Sequence, residues 1–179
     1  NQDFIKNLKI IERNFQVEDK GNYVFVGARR AGKTYFMYQI AQNLTKKDIG
    51  IQQILFINFE DERLIEMKTE HLAMIIDAYK ELFDLQPICF FDEIQNIENW
   101  EKFVRRLADK NYRVYVTGSN AKMLSKEIST ILGGRFLVKE IFTLTLSEYL
   151  KFRGLKLQNN YEFSEQRFEI KRLFSDYFY

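Results

Sequence analysis

Apolar positions along this chain alternate between two spacings, one near 3.6 residues and one close to continuous over four to six residues. In residues 3–13, Phe4, Ile5, Leu8 and Ile11 recur at helical intervals, which predicts a short leading helix. Gly21 then opens 22–26 (NYVFV), a β-branched and aromatic run that predicts a strand ending at Gly27. A helix is expected over 33–44 and a second strand over 52–58. From Asp61 to Asp84 the spacing is helical with a break near Lys68, and Pro87 introduces a third apolar run, 88–91. Phe103, Val104 and Leu107 predict a helix over 100–110, followed by a fourth strand over 112–116. A helix over 121–132 is stopped by Gly133-Gly134, and 136–142 (FLVKEIF) reads as a fifth strand. A short helix near 147–152 and a longer amphipathic one near 163–178 close the pattern.

Strand and helix therefore alternate five times, which predicts a mostly parallel α/β sheet covered on both faces. Such sheets bind ligands outside the carboxyl ends of their strands. The expected domain division is a nucleotide-binding α/β unit over 1–146 and a helical segment, the start of a lid, over 147–179.

Composition narrows the class. With 27 Lys+Arg against 25 Asp+Glu the net charge is +2, too small to indicate nucleic acid by itself. At 46% hydrophobic residues the chain has enough apolar matter for a sizeable core, which excludes a disordered class. Cys89, the single cysteine, cannot pair within the chain and sits in an apolar run as a small hydrophobe. That suits a reducing, cytoplasmic setting. No apolar run approaches the ~18 residues of a membrane span, and Asn1 opens a polar stretch rather than a signal peptide. A start without Met and a helical pattern reaching the last residues suit a fragment of a longer protein. His71 has no Cys or His companions for a metal site and reads as a surface helix residue.

Candidate chemistry collects at the strand ends. Gly27-Ala28-Arg29-Arg30-Ala31-Gly32-Lys33-Thr34 fits G-x-x-x-x-G-K-[ST] and lies between a predicted strand and a predicted helix. Glycines let backbone N–H groups turn inward around phosphate oxygens, and the helix adds its positive N-terminal end. Lys33 would reach the β- and γ-phosphates and the Thr34 hydroxyl would coordinate Mg²⁺. Arg29 and Arg30 fill variable positions of the loop and read as solvated. The third strand ends Asp92-Glu93, two like charges at the rim of an apolar core. Mg²⁺ with a polarised water would compensate them, Asp92 holding the metal and Glu93 orienting and deprotonating the water. The plainer reading makes both residues caps of the next turn.

These motifs together resemble the AAA+ branch of P-loop ATPases. More narrowly, Thr117-Gly118-Ser119-Asn120, the Gly133-Gly134-Arg135 turn and residues 142–150 (FTLTLSEYL) resemble a prokaryotic family. That family joins an AAA+ module to a C-terminal, nuclease-like domain of unknown function, which this chain lacks. The resemblance implies a three-layer ASCE fold with a parallel five-stranded sheet of order 5-1-4-3-2, and ATP as the nucleotide. No guanine-reading N-K-x-D segment is present. It also implies a polar sensor at Asn120 or Ser119, where a helix N-cap is the alternative. Arg135 would be an arginine finger acting in trans within a homo-oligomer, or a cation at a helix end. Asn58 would be a polar switch for Glu93, or a strand-end residue before a turn. The implied activity is Mg-dependent ATP hydrolysis coupled to a nucleic-acid or protein client. The alternative is a nucleotide-gated switch with little turnover. A kinase for a small acceptor fits less well, because Glu93 and the sensor segment suit water as acceptor.

Overall fold

The computed structural model describes residues 2–14, 17, 18, 20–119, 126–157 and 159–178. Five strands, β1 (Tyr23–Val26), β2 (Ile54–Asn58), β3 (Ile88–Asp92), β4 (Val114–Gly118) and β5 (Leu137–Glu140), form one sheet of order β2-β3-β4-β1-β5. Every pairing is parallel, with Val26 opposite Gly118 and Glu140, and Asn58 opposite Asp92. This is the expected order read from the other edge. The sheet and its helices make a three-layer α/β P-loop NTPase fold.

Alternation along the strands divides the core into two chemically different halves. Tyr23, Phe25, Ile54, Phe56, Phe90 and Tyr115 face α2 (Lys33–Thr45), which presents Phe36, Met37, Ile40, Ala41 and Leu44. Rings dominate here: Phe90 stacks on Tyr115 at 4.7 Å and Phe36 meets Phe25 edge-on at 5.1 Å. The opposite face is more aliphatic. Val24, Val26, Leu55, Cys89, Val114 and Val116 pack against α3 (Thr69–Phe83) and α4 (Trp100–Asp109). Leu132, just past α5 (Lys126–Ile131), completes that side. Burial pushes the Cys89 thiol up, out of reach of ionisation.

The trailing helices α6 (Leu146–Phe152) and α7 (Gln166–Phe178) share a small core of their own, Leu150, Leu155 and Leu173. Tyr177 Oη donates to Leu144 O (2.6 Å), holding α7 against the segment that follows β5. Among the described residues no helix is long and apolar enough to cross a membrane.

Several boundaries differ from the pattern reading. The leading helix α1 is Gln2–Asn7, not 3–13. Gln42 Nε2 takes the Ile5 and Leu8 carbonyls (2.8 and 2.7 Å), so residues 8–13 leave the helix and run along α2. The stretch from Asp61 breaks at Lys68 into a 3-10 turn, Glu62–Leu64, and α3. β4 starts at Val114 rather than 112, because Tyr112 is still bonded to the end of α4 through Leu107 O. The fifth strand ends at Glu140, two residues short of the expectation, and α7 begins at Gln166, three residues late. Of the helix expected over 121–132, residues 121–125 lie outside the described residues.

Candidate functional site

Gly27–Thr34 connects the carboxyl end of β1 to α2, as the motif requires. Gly27 has φ 149°, and a Cβ there would meet Ile141 O at 2.2 Å, so only glycine lets the loop leave the sheet beside β5. Arg30 and Gly32 both take left-handed conformations, φ 64° and 88°. Alternation of this kind curls successive N–H groups into an anion-binding concavity. The first turn of α2 carries no side-chain cap and no acidic residue, so its N–H groups and positive end face the loop uncompensated.

Lys33 is 4% exposed and donates from Nζ to Gly27 O (3.2 Å) and Ala28 O (3.0 Å), while standing 3.6 Å from Glu93 Oε1. Thr34 Oγ1 donates to Asp92 Oδ2 (2.8 Å), and Thr117 Oγ1 donates to Asp92 Oδ1 (2.5 Å). The structure thus brings Lys33, Thr34, Asp92 and Glu93 into one cluster. Asp92 is 1% exposed; burial raises its pKa, the two threonine hydroxyls oppose that, and the charges of Glu93 and Glu60 add to it. A carboxylate held this way gains from a nearby cation.

Glu93 adopts the left-handed region (φ 51°, ψ 44°), a strained conformation for a side-chain-bearing residue. The strain is held by Thr117 Oγ1, which accepts the Glu93 N–H (2.9 Å). Glu93 Oε2 accepts from Gln95 Nε2 (2.6 Å) and Ser119 Oγ (2.8 Å). Neither carboxylate caps the following turn with its side chain.

A cleft of about 690 Å³ opens over this cluster, lined by Arg29, Arg30, Lys33, Thr34, Glu60 and Glu93. Beside it, across Arg30 and Gly32, lies a more apolar cavity of about 490 Å³ with Ile10, Ile11, Leu144 and Phe152 in its walls. Phosphates suit the first and an aromatic base the second. Mg²⁺ fits the first: the Thr34 hydroxyl and Asp92 carboxylate are hard oxygen donors. Among the described residues no group of three or more His, Cys, Asp or Glu side chains could hold a metal. A metal here would therefore be completed by phosphate oxygens and water.

Other expected residues fall elsewhere. Asn58 Oδ1 accepts the Glu60 N–H (2.9 Å), a turn-forming bond that does not join it to Glu93. Arg135 pairs with Asp109 at the end of α4 and donates from Nη1 to Gly133 O (3.2 Å). Asn120 lies outside the described residues; of the same segment, Ser119 Oγ donates to the Glu93 carboxylate and Thr117 Oγ1 accepts the Glu93 N–H. Pattern reading names Thr117 within its segment without giving it a role; its signal is a hydroxyl at the end of an otherwise apolar strand. It misses Gln95 and Arg13, for which the sequence carries no signal.

Residues 19–150 match the family described as AAA domain. An uncharacterized protein of Methanocaldococcus jannaschii is 39% identical over 175 residues, covering 97% of this chain and 38% of that protein. An uncharacterized protein of Haemophilus influenzae is 31% identical over 156 residues, covering 86% of this chain and 37% of that protein. The chain thus spans less than two-fifths of the length of these relatives. Among solved structures, AMPPCP-bound DnaA from Aquifex aeolicus gives a TM-score of 0.49 at 14% identity, covering 88% of this chain and 51% of that one. Cdc6p from Pyrobaculum aerophilum gives 0.47 at 16% identity, covering 84% and 44%. With its loop, its buried acid pair and a match over most of its length, the chain belongs to the AAA domain family and is an ATPase-type nucleotide-binding module.

Proposed function

We propose that the module binds Mg-ATP at the 27–34 loop and hydrolyses it, with Glu93 as general base. The observation that carries this is the placing of Glu93 Oε1 3.6 Å from Lys33 Nζ, beside the Asp92–Thr34 pair. A base at that point faces the same space as the groups that would hold the terminal phosphate. Lys33 would balance phosphate charge, and Thr34 with Asp92 would hold the metal, Asp92 directly or through water. Bound Mg²⁺ would offset negative charge on the transferring phosphoryl group. The more apolar cavity at Ile10, Ile11 and Phe152 would take the base and ribose. Steady-state phosphate release by the parent and by Glu93→Gln tests the reading; equal rates would remove Glu93 from the mechanism.

A second reading, a nucleotide-gated switch with little turnover, is favoured by one detail. Both Glu93 oxygens are already engaged, Oε1 facing Lys33 and Oε2 accepting two hydrogen bonds. Water activation would need one of them released. Tight Mg-ATP binding with no phosphate release across protein concentrations would select this reading.

Assembly belongs to the proposal too. Arg135 serves the phosphate of a neighbouring copy in a homo-oligomer, and the energy goes to a nucleic-acid or protein client. A C-terminal nuclease-like domain accompanies the module in the longer protein, as in the family it resembles.

A further inference from the structure

Arg13 lies outside the motif, yet its polar contacts join α2, the phosphate loop, the segment after β5 and α6. Its main chain is fixed to α2: Arg13 N–H donates to Gln39 Oε1 (2.9 Å), and Gln39 Nε2 donates to Arg13 O (3.0 Å). Gln39 is itself buried, so residue 13 has little freedom to drift. The guanidinium then reaches three other parts of the fold. Nη1 donates to Ala31 O (3.0 Å) inside the phosphate loop. Nη2 donates to Phe142 O (2.8 Å) and Thr143 O (3.3 Å), after β5. Nε stands 3.4 Å from Glu148 Oε1 on α6. Arg13 and Glu148 side chains are only 14% and 13% exposed, so solvent screens the pair weakly.

The bond to Ala31 has a consequence for phosphate binding. A peptide group is planar and here trans, so its C=O and the next N–H point in opposite directions. Drawing the Ala31 carbonyl toward Arg13 aims the Gly32 N–H the other way. A phosphate loop works by showing N–H groups inward, and every carbonyl it turns outward needs a donor. Arg13 is that donor for the peptide that joins Ala31 to Gly32.

The Glu148 end has a second role. Glu148 Oε2 accepts from Thr145 N–H (2.8 Å), closing the capping box that starts α6. One carboxylate thus ties the beginning of α6 to the guanidinium that orients the loop. Burial opposes its ionisation, but the Thr145 N–H and Arg13 outweigh that and hold its pKa below the usual range. The same elements wall the apolar cavity, where Arg13, Ala31, Gly32, Leu144 and Phe152 all contribute.

We propose that Arg13 is a positioning residue that couples the phosphate loop to α6 and α7, so that nucleotide binding and the seating of the trailing helices strengthen each other. This rests on the nucleotide reading of the 27–34 loop. Coupling is reciprocal: whatever factor the seated helices add to nucleotide affinity, bound nucleotide adds to their seating. Lysine would not replace arginine here, because one ammonium cannot serve acceptors spread across a guanidinium's fork.

The test uses the 179-residue chain, its Arg13→Lys, Arg13→Ala and Glu148→Gln variants, and Mg-ADP as the probe. Dissociation constants come from calorimetry, and hydrogen exchange at residues 142–152 is followed with and without Mg-ADP. Glu148→Gln keeps an oxygen for the Thr145 cap, weakens only the pairing with Arg13 and lies outside the phosphate loop. Affinity is expected to fall about tenfold in Arg13→Ala and Arg13→Lys and about threefold in Glu148→Gln, about 1.4 kcal/mol per tenfold. Mg-ADP should slow exchange at 142–152 in the parent and do so much less in all three. If Arg13→Ala does not fold, Glu148→Gln carries the test alone. Unchanged affinity together with parent-like slowing in the folded variants would overturn the coupling and leave Arg13 a structural tie. A parent that binds no Mg-ADP would sink the nucleotide reading beneath it, a separate outcome.

Discussion

Glu93 and Asp92 are neighbours in sequence with opposite demands on their surroundings. Glu93→Gln keeps the acceptor for Gln95 and Ser119 but loses the basic oxygen, so Mg-ATP affinity should survive while kcat falls about 10²–10⁴-fold. Single-turnover phosphate release measures it, and a fall in affinity with kcat intact would contradict the role. Asp92 carries a pKa raised chiefly by burial. A carboxyl whose folded pKa stands above its unfolded value binds protons more readily when folded. The contribution of Asp92 to stability is therefore greatest below the unfolded pKa of about 4 and declines as pH rises through the raised value. Asp92→Asn removes that penalty while keeping partners for the Thr34 and Thr117 hydroxyls. Without nucleotide it should melt higher than the parent near pH 7, by about 2–4 °C if ~1 kcal/mol is recovered. The advantage should vanish below about pH 4, and the variant should lose Mg-dependent stabilisation by ATP. If Asp92→Asn melts lower than the parent at every pH, the carboxylate is already well compensated. At this scale the motif residues are legible in the sequence, because phosphate chemistry fixes both their type and their spacing. The roles of Gln95, Thr117 and Arg13 are not: Gln95 meets Glu93, two residues back, through the left-handed turn there, and the partners of Thr117 and Arg13 are brought up by tertiary structure from 18 to 135 positions away.

The elements show the same division between local and distant causes. α4 is legible to within a residue because Trp100, Phe103, Val104 and Leu107 form one buried stripe at helical spacing. The leading helix reads six residues too long because its last carbonyls are captured by Gln42, a contact that periodicity cannot express. All five strands are visible in the pattern, since each is a short apolar run bounded by turn residues. The junction of β1 with the loop makes an element-scale prediction. Gly27→Ala would place a methyl 2.2 Å from the Ile141 carbonyl at φ 149°, so either β5 or the loop must move. Such a backbone clash should cost about 2 kcal/mol or more, read as a lower urea midpoint, together with weakened nucleotide binding. An unchanged midpoint would mean that β5, the edge strand, yields freely at Ile141. Gly134→Ala is the control, because nothing lies within 4 Å of that position, although its φ of 68° still exacts some strain.

For the molecule as a whole, the position of Arg135 decides how many copies an active site needs. Asn22 Nδ2 donates to Arg135 O (3.4 Å), which places Arg135 at the start of β1, while the phosphate loop leaves its end. Four strand residues span roughly 13 Å at about 3.3 Å each, and the side chain turns to Asp109 rather than along the sheet. Arg135 therefore cannot serve the phosphates of its own subunit from this place, and a role at phosphate has to be in trans. If it has that role, turnover per molecule rises with protein concentration while nucleotide affinity does not. Arg135→Ala lowers kcat and leaves the dissociation constant for Mg-ATP near the parent value. Mixing Arg135→Ala with Lys33→Ala restores part of the activity, because one partner offers an intact loop and the other an intact arginine at a shared interface. Sedimentation over the same concentrations shows whether the rise coincides with association. Flat specific activity from monomer to oligomer would leave Arg135 as the cation that pairs with Asp109 beside the two-glycine helix stop, and would shift weight to the switch reading.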